Sequence, residues 1–145
     1  MLLRRRSDRV EVLKQIPLFS ALNNRQLNMI ARGADEVKLL AGRVVARQGG
    51  LRREMFVILE GTARVERDGR LIARLKRGDS FGEMSLIDGK PRSATVTAEH
   101  DMVVLVVDAL SFNKLLDSAP GLARKLLATL SERLRNADIQ LTLRN

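Results

Sequence analysis

Between Ala34 and Val107, glycine cuts the chain into short apolar runs at nearly even intervals. The runs are "EVKLL", "RVVARQ", "MFVILEG", "TARVER", "LIARLKRG", "SATVTA" and "MVVLVVD". Each is too short for an ordinary helix, and valine and isoleucine are frequent in them, which favours extended backbone. Gly42, Gly49–Gly50, Gly61, Asp68–Gly69, Gly78–Asp79 and Gly89 mark the breaks. Asp68–Gly69 is the clearest hairpin signal, because both central positions of a tight hairpin turn need positive φ. Short strands at this spacing predict an antiparallel sandwich or a jelly-roll barrel.

Both flanks return to a helical period. Within residues 8–34, Val10, Val12, Leu13 and Ile16 form a partial apolar stripe, and Pro17 ends it. Asn23 and Asn24 are cap residues for a second helix carrying Leu27, Met29 and Ile30 and ending near Gly33. After the strands, Asp108 is placed to cap "ALSFNKLLDS", and Pro120 to start a last helix. Leu122, Leu126, Leu130 and Leu134 then recur every four residues, joined by Leu127. That stripe has to pack on the strands, on a ligand or on another copy of itself. The expected apolar face holds Leu126, Leu127, Leu130 and Leu134, with Arg124, Glu132 and Arg135 mostly away from it.

Composition removes several classes of function. A chain of 145 residues suits one domain with one core. It has no cysteine, which excludes disulfides and thiolate metal sites. A single histidine, His100, is too few for the histidine-rich metal site of a cupin-type enzyme, and the chain shows no Ser-His-Asp or Cys-His set. The expectation is therefore no enzyme, no metal and no cofactor. No apolar run is long enough for a membrane-spanning helix. "MLLRRRSDR" is too short and too charged for a secretory signal, so the expected location is the cytoplasm. The net charge of +9 calls for an anionic partner: nucleic acid, an anionic membrane surface or a phosphate ligand. Much of the arginine can equally serve only to solvate the surface. Four Phe with no Trp or Tyr give little to stack nucleobases on, which disfavours single-stranded nucleic acid.

The anion has a specific place to go in "FGEMSLIDGKPRSATV", Phe81–Val96. Gly82 lets backbone approach a ligand closely. "EMSLI" can form one helical turn, whose first N–H groups have no internal partner and attract an anion. Arg92 offers a permanently charged fork that fits two phosphate oxygens, and Ser93 adds a hydroxyl. An ionised Glu83 can only accept, so it calls for donors such as sugar hydroxyls. The residue types also allow a plainer arrangement, in which Glu83 and Arg92 pair with each other and fix the loop.

This segment resembles the phosphate-binding cassette of cyclic nucleotide-binding domains, the sensors of catabolite activators, protein kinase A regulatory subunits and cyclic nucleotide-gated channels. The likeness covers most of the chain. "IPLFSALNNRQLNMIA" is similar to the family's N-terminal helical segment, "AGRVVARQG" and "MFVILEGTARV" to its first strands, and "SFNKLL" with the following "AP" to its later helices. The resemblance implies that Glu83 accepts from the ribose 2′-hydroxyl and that Arg92 pairs with the cyclic phosphate. It implies backbone N–H donors from Gly82, Met84 or Ser85, with Ser93 near the phosphate. Val65 falls where family members line the base pocket, and Arg133 where some channel domains set an arginine against the base. Cyclic AMP and cyclic GMP both stay open; cyclic AMP is favoured, because beyond the Ser93 hydroxyl nothing reads guanine.

Pattern and resemblance together predict an α+β fold: an eight-stranded antiparallel β jelly-roll barrel flanked by N-terminal and C-terminal helices. The expected division of 1–145 is helices over 8–34, barrel over 35–107 with the cassette at 81–96, and helices over 108–143. The expected role is a regulatory sensor that binds cyclic nucleotide and repositions its C-terminal helix. The competing role is a ligand-independent barrel used for protein–protein contact. Further expected partners are a second copy through the C-terminal helix and an effector domain or partner protein. Two departures from the family pattern qualify this. Arg52–Arg53 stand where Gly-Asp is common, so that turn differs and its charge is reversed. No helix-turn-helix follows before Asn145, which disfavours a DNA-binding regulator and leaves a free-standing sensor or one cut from a longer protein.

Overall fold

The computed structural model describes residues 6–20, 22–83, 86 and 89–144; side chains of residues 6, 7, 129, 133 and 136–144 are outside that description. Among the described residues, four α-helices and eight strands follow in order. Helix α1 (Arg6–Lys14) leads into a 3-10 turn at Pro17–Phe19 and then α2 (Asn24–Gly33). The strands are β1 (Ala34–Leu39), β2 (Val44–Ala46), β3 (Glu54–Glu60), β4 (Ala63–Arg67), β5 (Arg70–Leu75), β6 (Ser80–Phe81), β7 (Thr95–Ala98) and β8 (Met102–Asp108). Helices α3 (Ala109–Ser118) and α4 (Pro120–Arg144) close the chain.

The caps fall where the side chains can make them. Asn23 accepts from the Gln26 N–H while Gln26 accepts from the Asn23 N–H, a reciprocal pair that starts α2. Asp108 accepts from the Ser111 N–H and starts α3. At the other end of α2, Arg9 donates to the carbonyls of Ala31 and Ala34 at 3.2 and 2.9 Å. A guanidinium thus satisfies carbonyls that a helix end leaves open.

The strands pair antiparallel in two four-stranded sheets, ordered β1-β8-β3-β6 and β2-β7-β4-β5. Among the described residues no ladder joins the sheets, so eight antiparallel strands are present as two sheets rather than one closed ring. Two of the sequence expectations change. Strand β6 went unseen because its two residues lie between Gly78 and Gly82, below the length at which alternation can show. The 8–34 region is broken twice, after Lys14 and after Phe19.

The unbroken apolar runs "MFVIL" and "MVVLV" are explained by layering. Met55, Val57, Leu59, Val103, Leu105 and Val107 face a core shared with the helices. Phe56, Ile58, Met102 and Val104 face the second sheet. Strands β3 and β8 are therefore covered on both sides, and alternation is lost because both faces are apolar. Helix α4 packs on the 3-10 turn and on α3. Leu122 and Leu126 are buried and Leu130 partly so, but Leu127 and Leu134 are 66% and 65% exposed. The expected single face is thus corrected: Leu127 lies about 100° around the helix from Leu126, and on α4 the packed core does not reach that far. Arg124, Glu132 and Arg135 are exposed as expected. No helix among the described residues is long and apolar enough to cross a membrane.

Candidate functional site

The loop after β6 begins with Gly82 at φ +90°. A side chain there would be strained, and a Cβ would overlap the Arg92 guanidinium and lie 2.7 Å from the Glu54 carbonyl oxygen. Gly82 therefore makes room for Arg92, a closer reason for glycine than the ligand approach expected from sequence. Glu83 and Leu86 have helical backbone, and Leu86 is fully buried in the core that also holds Phe19, Leu122 and Leu126. Arg53 donates to the Leu86 carbonyl at 3.2 Å. The reversed charge before β3 thus tethers the turn that follows Glu83, while Arg52 forms only an exposed pair with Glu54 at 3.4 Å.

Arg92 is placed by main-chain contacts on either side. Its N–H donates to the Gly50 carbonyl at 2.9 Å, and its own carbonyl accepts from Gly49 at 2.8 Å. Arg92 as a whole is 7% exposed. Nη2 donates to the Glu54 carbonyl at 2.7 Å, and Cζ sits 5.4 Å from the centre of the Phe56 ring. Phe56 in turn stacks on Phe81 at 4.9 Å. Burial lowers the Arg92 pKa, Glu54 raises it, Arg52 lowers it and Glu83 raises it. Among the described residues no carboxylate reaches ion-pair distance of Arg92. A buried cation held by a carbonyl and a ring face lacks a full countercharge, and burial without one is costly. The simple Glu83–Arg92 ion pair is therefore not what fixes this loop.

Arg92, Gly82, Glu83 and Ser93 line one end of a cavity of about 380 Å³, within the usual range for small ligands. Glu83 is 1% exposed. The rest of the lining is mostly apolar, with Ala46, Val65, Ile72, Ala73, Leu75, Phe81, Ala94 and Val96, and includes the polar Arg67 and Ser80. The cavity thus joins an anion-seeking end to a greasy slot. The proposed residues Gly82, Glu83, Arg92, Ser93 and Val65 all lie on it. Met84 and Ser85 lie outside the described residues. Arg133 belongs to α4, but its side chain is likewise outside the description. No described residue of α4 lines the cavity.

Sequence reasoning missed Arg67, Ile72 and Ala73. All three line the cavity, and Arg67 also donates through Nε to the Ser93 carbonyl at 3.0 Å. A signal existed in the exposed apolar pair "LI" of the β5 strand. It was obscured by the bulge between Val65 and Glu66, which shifts the register against β5. His100 contacts Thr62 and is exposed, and no cluster of metal-ligating side chains occurs among the described residues.

The family model of the cyclic nucleotide-binding domain matches residues 36–119. The chain is 35% identical over 114 residues to the cAMP-dependent protein kinase regulatory subunit of Schizosaccharomyces pombe, covering 78% of this chain and 28% of that protein. It is 36% identical over 123 residues to a cyclic nucleotide-gated potassium channel of Rhizobium etli, covering 85% of this chain and 34% of the channel. The chain thus spans about a third or less of these relatives. The solved catabolite activator protein of Thermus thermophilus matches with a TM-score of 0.80 at 32% identity, covering 88% of this chain and 62% of that one.

Proposed function

The chain belongs to the cyclic nucleotide-binding domain family, and on that premise we propose that it is a sensor for a purine 3′,5′-cyclic nucleotide, acting by binding rather than catalysis. The observation that carries this reading is Arg92, a buried guanidinium without an ion-pair partner among the described residues at the end of an apolar slot. A cyclic phosphate supplies the countercharge that burial demands, in a dry setting where the pairing is strong. The Gly82, Met84 or Ser85 N–H groups and the Ser93 hydroxyl complete the anion site. Glu83 accepts from the ribose 2′-hydroxyl. Val65 and its apolar neighbours take the base, and Arg133 approaches it from α4.

The output is a population shift. Leu86 links the loop after Glu83 to the core that holds Leu122 and Leu126. Drawing the loop onto the phosphate displaces Leu86 and with it the seat of α4, which then closes over the base. This reading takes the two sheets as halves of a jelly roll, in one domain over 1–145. It sets the chain in the cytoplasm, with a second copy or an effector domain receiving the moved α4. Two of the similar proteins carry the names of a cAMP-dependent kinase subunit and a cyclic nucleotide-gated channel, consistent with such an output.

Calorimetric titration with cyclic AMP and cyclic GMP tests the proposal. Saturable one-site binding of either supports it. Binding of neither, by a folded protein, leaves the ligand-independent interaction domain as the better account.

A further inference from the structure

We propose that Phe56 is a positioning residue for phosphate binding: its ring, in place of a carboxylate, holds the Arg92 guanidinium and leaves the fork open to the anion. This rests on the cyclic nucleotide reading above. The chain has four Phe and no Trp or Tyr, and two of the four meet beside Arg92. Phe19 and Phe112 lie instead in the helical core. Phe56 and Phe81 oppose each other in the β3–β6 ladder, and both are buried. Their rings stack with centres 4.9 Å apart and 16° between planes, which fixes the tilt of the Phe56 ring. Arg92 Cζ lies over that ring, 5.4 Å from its centre, within the reach of a cation–π contact.

A carboxylate beside a guanidinium takes up two of its N–H donors, the pair that a phosphate also needs. Such a partner has to be displaced whenever ligand binds. A ring face attracts the charge without accepting a two-point pair. Among the described residues no carboxylate reaches ion-pair distance of Arg92. The Glu54 carboxylate pairs with Arg52 at 3.4 Å, and its main-chain carbonyl, 2.7 Å from Nη2, is what meets Arg92. Nη1 lies against Gly82, which lines the cavity together with Arg92. The ring thus offsets part of the cost of a buried cation and keeps the fork at one angle to the loop.

The role is one of charge, so the test changes the charge of the ring and keeps its shape. Phe56 is replaced by mono-, di- and trifluorophenylalanine, whose ring faces are progressively less negative at nearly constant size. Affinities for cyclic AMP and cyclic GMP are measured by calorimetry on the native chain, on this series and on Phe56→Leu, with thermal melts to check folding. The series is repeated on Arg92→Ala. Affinity for both ligands is expected to fall stepwise with each fluorine, by roughly three- to thirtyfold in total, with little change in melting temperature. Phe56→Leu, which keeps apolar bulk without a ring, loses at least as much. On Arg92→Ala the fluorines cause no further loss, because the cation they act through is gone. Affinity that stays constant or rises across the series overturns the role of Phe56, even where Phe56→Leu weakens binding, since packing alone then accounts for the residue. An equal fluorine effect on Arg92→Ala overturns it as well. Binding of neither nucleotide by the folded native chain removes the cyclic nucleotide reading, and this role with it.

Discussion

At the scale of single residues, Arg92 and Glu83 are the two buried charged side chains described on the cavity. Arg92 is buried against the Glu54 carbonyl and the Phe56 ring. Removing one member of a desolvated charge pair costs about 2–5 kcal/mol. Arg92→Ala is therefore expected to weaken cyclic nucleotide binding on the order of thirtyfold to several thousandfold, with the fold intact. Arg92→Lys also weakens it, since the fork is lost. Unchanged affinity in calorimetry removes Arg92 from the site. Glu83, almost wholly buried on the same cavity, is tested from the ligand side. The native chain is expected to bind a 2′-deoxy cyclic nucleotide more weakly than the parent, by about 1.5–3 kcal/mol for a hydrogen bond to a charged group. In Glu83→Ala the two ligands become nearly equal. Additive losses in this cycle would mean that Glu83 only supports the loop.

At the scale of elements, contacts of two different kinds are described at Leu86, in the loop after β6. Leu86 anchors it in the helical core, and Arg53 ties the Leu86 carbonyl from the turn before β3. Arg53→Ala is expected to speed hydrogen exchange in residues 83–89 and to weaken nucleotide binding by about 1–3 kcal/mol, with little change in melting temperature. Identical exchange in the variant shows that Leu86 alone holds the turn. The opposite wall is held differently. The Gln48 side chain donates to Asp68 at 2.9 Å and accepts from the Asp68 N–H at 3.0 Å, which pins the β4–β5 hairpin to the end of β2. Helix α4 has Leu122 and Leu126 in the core but leaves Leu127 and Leu134 in water. Saturating ligand is expected to slow exchange in residues 125–140 beyond the slowing at the loop. Equal protection with and without ligand, together with a dimer by light scattering, points instead to a permanent helix seam through the exposed leucines.

At the scale of the whole molecule, the first sheet lies between the helices and the second sheet, so the cavity and α4 sit on different layers. On the proposed mechanism, communication between them runs through Leu86, which shares a core with Leu122 and Leu126. Binding of the native state alone stabilises it in proportion to the logarithm of ligand concentration, about 2.7 kcal/mol at one hundred times Kd. Cyclic nucleotide is thus expected to raise the melting temperature by several degrees, continuing to climb past saturation. The same titration on Arg92→Ala gives a flat response over that range. A rise equal in both proteins assigns the stabilisation to binding elsewhere.

Much of this was readable along the chain because the signals are local. Caps at Asn23 and Asp108 depend on a side chain reaching a backbone N–H three residues on. The Asp68–Gly69 hairpin depends on two adjacent residues accepting positive φ, as both do. The loop residues Gly82, Glu83, Arg92 and Ser93 lie within twelve positions of one another, and their types announce an anion site. Tertiary structure alone decided the rest. That Arg92 lacks an ion-pair partner among the described residues depends on Glu54 and Phe56, far off in sequence. That Arg53 ties the loop depends on β3 lying beside β6. Arg67 lines the cavity just beyond a register shift between β4 and β5, and Leu127 left the apolar face because the core reaches only one side of α4. Composition and short-range pattern set which residues can form each element; which distant groups share a cavity, and so what charge stands buried there, follows from packing that brings non-neighbours together.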